Sequence, residues 1–103
     1  MKQIIIGTTP TIVYTFRTVP VSTITTAFFT VKRGGVEIIK KPLSEAVVGE
    51  NTISWTLSQE DTLAIGVRLV TMMINWVTAD DVRGASKEET VNGVNNHIRE
   101  VIV

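Results

Sequence analysis

The stretch Ile53-Ser54-Trp55-Thr56-Leu57-Ser58-Gln59-Glu60-Asp61-Thr62-Leu63 holds the transition that decides the fold. Ile53, Trp55 and Leu57 alternate with Ser54 and Thr56, the two-residue period of a strand with one buried face. At Ser58 that period stops. Ser58 and Asp61 have the spacing of a capping box, which predicts that the chain leaves the strand through one short helical turn near Ser58–Leu63. Leu63 is expected to bring that turn back to the core. This is a structural signature and carries no chemistry of its own.

The rest of the chain agrees with a strand reading. Threonine, valine and isoleucine number 15, 15 and 12, against four leucines. β-Branched side chains suit a pleated, half-buried surface, so the ratio decides for strands over helices. Upstream, Ile4–Ile6 reads as a short first strand or an edge, and Ile12, Tyr14 and Phe16 alternate along the next. Val19–Ser22 contains Pro20 and is a connection, because a central strand does not tolerate the missing N–H. Thr26–Lys32 is a strand with Phe29 and Val31 on one face and Phe28 on the other. Gly34-Gly35 marks a hairpin, after which Val36–Lys40 pairs back and Lys41-Pro42 ends the strand. Residues 43–51 read as a loop or ragged strand.

Downstream, Val67–Thr78 is the longest strand candidate. One face carries Val67, Leu69, Thr71, Met73, Asn75 and Val77, the other Arg68, Val70, Met72, Ile74 and Trp76. Both are largely apolar, so the strand is either covered on both sides or turns its outer face to a partner. Asp80–Gly84 is a turn, and Ala85–Val94 a final polar strand ended by Gly93. Short strands punctuated by turns predict an all-β class: an antiparallel, immunoglobulin-like β-sandwich of about six to eight strands. At 103 residues it is one domain, 1–103, with a short apolar tail over 95–103. An apolar end docks on its own sheet or on a neighbour. The candidate interface residues are therefore Val70, Met72, Ile74 and Trp76 on the long strand, with Ile98, Val101, Ile102 and Val103 in the tail.

Composition excludes several chemistries. There is no cysteine, hence no disulfide, thiolate metal site or cysteine nucleophile. His97 is the only histidine, and a tail histidine without a placed nucleophile and acid reads as an exposed or interface residue. Asp80 and Asp81 with Glu88 and Glu89 lack the alternating oxygens of a calcium loop and read as turn and edge solvation. Gly34-Gly35 lacks the third glycine and following helix of a phosphate loop. Formal net charge is zero, with basic pairs only at Lys32-Arg33 and Lys40-Lys41, which read as solvated charges flanking a turn. Nucleic acid is not an expected partner. No run reaches the length of a membrane span or a signal peptide, so a soluble chain is expected. Trp55, Trp76, Tyr14, Phe16, Phe28 and Phe29 are spread over separate strands and read as sandwich core rather than a sugar platform. Trp76 is the interface candidate among them.

Three features occur in order along the chain: I-I-I-G-T-T-P-T at residues 4–11, N-T-I-S-W-T-L-S-Q-E-D-T-L at 51–63, and a long strand with an acidic turn at 67–84 before a short apolar terminus. This order resembles a group of small prophage-encoded proteins of Gram-positive bacteria. It is also similar, more loosely, to the N-terminal β-sandwich domain of siphophage baseplate upper proteins. The resemblance implies a phage structural or assembly protein, a tail or baseplate component, found in the virion or the host cytoplasm. It implies no catalytic residues, and no cofactor or metal is expected. The expected partners are copies of the chain and other phage tail proteins. A carbohydrate- or ligand-binding sandwich module is the alternative, and an enzyme is not expected.

Overall fold

The computed structural model describes residues 2–94. Among these, alternation resolves into β1 (Lys2–Ile5), β2 (Thr11–Thr15), β3 (Ile24–Arg33), β4 (Val36–Pro42), β5 (Val47–Val48), β6 (Thr52–Thr56), α1 (Gln59–Ile65), β7 (Leu69–Thr78), β8 (Arg83–Ala85) and β9 (Glu89–Val94). The larger sheet has the order β1-β9-β7-β3-β4, with β8 also paired to β7, and the smaller has the order β2-β6-β5. The run β9-β7-β3 of the larger sheet and the run β2-β6-β5 of the smaller have the G-F-C and B-E-D strand orders of an immunoglobulin-like sandwich. One pairing departs from the antiparallel expectation: β1 runs parallel to β9, so the first and last described strands close one edge of the large sheet.

Ile53 and Trp55 of β6, with Leu57 just beyond it, share one core with Ala27, Phe29 and Val31 of β3 and Val70, Met72 and Ile74 of β7. The Trp55 and Phe29 rings stack across the two layers at 5.6 Å and 21°. Trp55 also donates its indole N–H to the Pro42 carbonyl at 2.9 Å, so the burial leaves no orphan donor. The Gly34-Gly35 hairpin forms as predicted, both glycines lying at positive φ (57° and 82°). A bulge at Val31/Lys32 shifts the register of this hairpin.

Ser58 caps α1 as its spacing predicts. Asp61 N donates to Ser58 Oγ (3.1 Å), and Ser58 N donates to Asp61 Oδ2 (2.9 Å). The inward positions of the helix are Thr62 and Ile65, both fully buried, while Leu63 is only half-buried and does not take the core position expected of it. The predicted single strand over Ala85–Val94 is two. Ser86 interrupts it by taking both polar backbone groups of Ile74: its Oγ accepts from Ile74 N (3.0 Å), and its own N donates to Ile74 O (2.9 Å). Nor does Gly93 end the second piece. It lies inside β9, where a Cβ would run into the Gly66 carbonyl.

Candidate functional site

The register between β3 and β7 decides which face of the long strand is free. Ile74 stands opposite Phe29, Met72 opposite Val31 and Trp76 opposite Ala27, all on the face turned toward the small sheet. Val70, Met72 and Ile74 are 2%, 2% and 1% exposed. These three candidate interface residues are therefore core, a correction to the sequence reading. An apolar pattern on both faces says nothing about which one meets the second sheet, and the β3 pairing settles it. Trp76 is half-buried at the end of the core, edge-on to Phe16 at 5.1 Å and 87°, with its ring against Gly84. Ile98, Val101, Ile102 and Val103 lie outside the described residues, as does His97.

The free face of β7 carries Leu69, Thr71, Met73, Asn75 and Val77. Cross-strand pairing sets Met73 beside Thr30, Asn75 beside Phe28 and Thr71 beside Lys32. On the far side of β3, Lys40 stands opposite Thr30 and Glu37 opposite Lys32. Together these residues form a groove across the sheet. A central recess of about 270 Å³ is lined by Phe28, Lys40, Met73, Asn75 and Glu88 among others. It shares Phe28 and Asn75 with a second recess, of about 500 Å³, that runs to Trp76 and Arg83. It shares Lys32, Thr71 and Glu88 with a third, of about 310 Å³, that reaches Leu69.

The floor of the groove is apolar at Phe28 and Met73, and the rim carries both signs of charge. Lys40 Nζ sits 4.6 Å from the Phe28 ring centroid, a cation–π contact that holds the ammonium over the floor. The neighbouring Lys41 points the other way and pairs with Asp61 Oδ2 at 3.0 Å. The two lysines that read as one solvated cluster thus serve opposite faces of β4. Burial alone would raise the Asp61 carboxyl, but the Ser58 backbone N–H, the Lys41 ammonium and the Ser58 hydroxyl outweigh it and hold the pKa below its ordinary value. The acidic run divides in the same way. Glu88 stands on the groove rim and Glu89 lines a cleft at the β2 seam of the sandwich, while Asp81 takes positive φ in the turn and pairs with Arg83 at 3.4 Å.

That seam also holds Tyr14. Its hydroxyl is buried and has no hydrogen-bond partner among the described residues. Burial, followed by the charge of Glu89, pushes its pKa up to about 12. Among the described residues no three acidic or histidine side chains converge on a metal-sized space, and no helix is long and apolar enough to cross a membrane.

The two motifs that carried the resemblance meet in space. Thr62 Oγ1 accepts from Gly7 N and donates to Thr8 O, each at 2.9 Å, and Leu57 N donates to Pro10 O at 2.9 Å. The G-T-T-P and L-S-Q-E-D-T-L segments therefore clamp one another, and Thr8, Ser58, Asp61 and Thr62 are spent on the fold. The groove residues Phe28, Lys40, Met73 and Asn75 were missed as a site. The available signal was their position on the faces opposite Phe29, Val31, Met72 and Ile74. No protein-family model, curated protein or solved structure matches this chain.

Proposed function

We propose that the chain is a structural or assembly protein that works by protein–protein contact, with the outer face of the large sheet as its docking face. One observation carries this reading: Phe28 and Met73 form an apolar centre inside a polar rim of both charge signs. That is the anatomy of a protein interface, in which the desolvated centre supplies affinity and the rim supplies orientation. The resemblance to small prophage-encoded proteins supports a phage tail or baseplate neighbour as the partner. No bond is made or broken in this role.

A carbohydrate-binding module is less well supported. It calls for at least two exposed aromatic rings on one face. The groove supplies Phe28, already covered by Lys40, while Trp76 packs edge-on against Phe16.

The test is retention of the chain on particles or tail intermediates from an induced prophage, followed on a density gradient. Met73→Glu and Lys40→Glu should each lower retention by at least about tenfold, the equivalent of about 1.4 kcal/mol. Their unfolding midpoints should stay close to that of the unmodified chain. Unchanged retention of both variants would remove the groove as the docking face. Binding of the unmodified chain to cell-wall glycan, abolished by Phe28→Ala, would move the assignment to the carbohydrate class.

A further inference from the structure

The small sheet has an unprotected edge. β2 pairs with β6 on one side, and no described strand lies on its other side. The hydrogen bonds that bracket this ladder fix its phase: Phe16 N donates to Asn51 O (2.8 Å), and Leu57 N donates to Pro10 O (2.9 Å). Even-numbered β2 residues therefore bond to β6. The N–H and C=O groups of Thr11, Val13 and Thr15 point outward to the open edge.

Other edges of the sandwich are guarded. β4 carries Glu37, Lys40, Lys41, Pro42 and a bulge against it, and β5 is only two residues long. Charges, proline, bulges and brevity are the usual devices that stop an edge from pairing. β2 has none of them. Thr11-Ile12-Val13-Tyr14-Thr15 is uncharged, free of proline and glycine, and mostly β-branched.

We propose that β2 pairs edge to edge with β2 of a second copy of the chain, antiparallel about a twofold axis at Val13. The sequence is self-complementary in that register. Val13 meets Val13, Thr11 meets Thr15, and each facing pair exchanges N–H and C=O through the groups that point outward. On the inner face Ile12 meets Tyr14, an aliphatic–aromatic pair. No charge opposes its like, which the twofold would otherwise impose, so a second copy fits this edge where a charged strand would not. The product is one continuous sheet built from both small sheets. It lies on the opposite layer from the Phe28–Met73 groove and does not depend on the role assigned there.

Sedimentation equilibrium of the full chain, with hydrogen exchange on the same samples, tests this. The unmodified chain should be a dimer, and the amides of Thr11, Val13 and Thr15 should gain protection as concentration rises. Val13→Lys sets like charges across the twofold, and the Val13 side chain is exposed (55%), so the fold is undisturbed. Val13→Pro removes an N–H that makes no bond to β6. Each variant should weaken the dimer by at least about tenfold. A chain that stays monomeric, a dimer that ignores both variants, or protection of the three amides at the monomer stage would each overturn the proposal. The last outcome would mean that the chain's own residues cover the edge.

Discussion

The two outer faces of this sandwich share one core and differ in almost everything else. The large sheet presents a groove with Phe28 and Met73 at its floor and Lys32, Lys40, Arg83, Glu37 and Glu88 around it. The small sheet presents Thr11, Val13, Thr15, Thr52, Ser54 and Thr56, with no charge among them. Two of its threonines are tied to each other, Thr11 Oγ1 lying 3.0 Å from Thr56 Oγ1. A groove with a charged rim selects a partner by shape and charge. An uncharged sheet with an open edge offers its backbone instead. Added salt should therefore slow partner association at the groove and leave pairing at the β2 edge almost unchanged.

Both faces rest on a common core, and the largest effect should come from breaking it. Trp55→Ala removes the ring that stacks on Phe29 and should cost about 3–5 kcal/mol of stability by denaturant titration. That is a large part of the roughly 5–15 kcal/mol of a whole domain, so both surfaces should be lost together. A loss below about 1 kcal/mol would show that Trp55 does not join the two layers.

A change confined to the large sheet comes next. Gly93→Ala drives a methyl into the Gly66 carbonyl, which must move, and overpacking of this kind costs about 1–3 kcal/mol. It should shift β9 and the end of α1 and leave the β2–β6 ladder intact, as amide exchange would show. Equal disturbance of both sheets would contradict a two-layer division.

The junction between the sheets should respond more weakly. Ser58→Ala removes the cap of α1 and should cost about 1 kcal/mol. Asp61, in the same cap, gives a dependence on acid. Its folded pKa is lowered, so its contribution is complete above the unfolded value of 3.8 and is lost as pH falls through the folded value. Asp61→Asn should flatten the acid limb of the stability profile, and an unchanged limb would place the dependence elsewhere.

The smallest effect belongs to the small sheet. Tyr14→Phe deletes a buried hydroxyl with no described partner and should leave stability unchanged or raise it by up to about 1 kcal/mol. Because the folded pKa of Tyr14 is raised, its titration leaves stability unaffected below pH 10 and lowers it as pH climbs from 10 toward about 12. The variant should lack that alkaline loss. A clear destabilisation by Tyr14→Phe would show that the hydroxyl is bonded.

Local patterns in the sequence were enough for the elements with local causes. The alternation of Ile53, Trp55 and Leu57, the Ser58–Asp61 cap and the Gly34-Gly35 turn each depend on residues within a few positions of one another. The strand-rich class follows from β-branched composition in the same way. The inward face of β7 was not legible, because Val67–Thr78 is apolar on both sides and the choice depends on pairing with β3, far away in the chain. The break between β8 and β9 was hidden too, since it arises where Ser86 meets Ile74. The groove was the least legible of all. Phe28, Lys40 and Met73 come from three strands and meet only once the register is set.

Two adjacent residues of β7 face opposite ways, Met72 into the core and Met73 into the groove. Equilibrium unfolding of Met72→Ala and Met73→Ala in one buffer tests this most directly. We predict a loss of about 2–5 kcal/mol for Met72→Ala, typical of a core truncation, and below about 1 kcal/mol for Met73→Ala. Equal losses, or the larger loss at Met73, would contradict it, because the groove would then be part of the core.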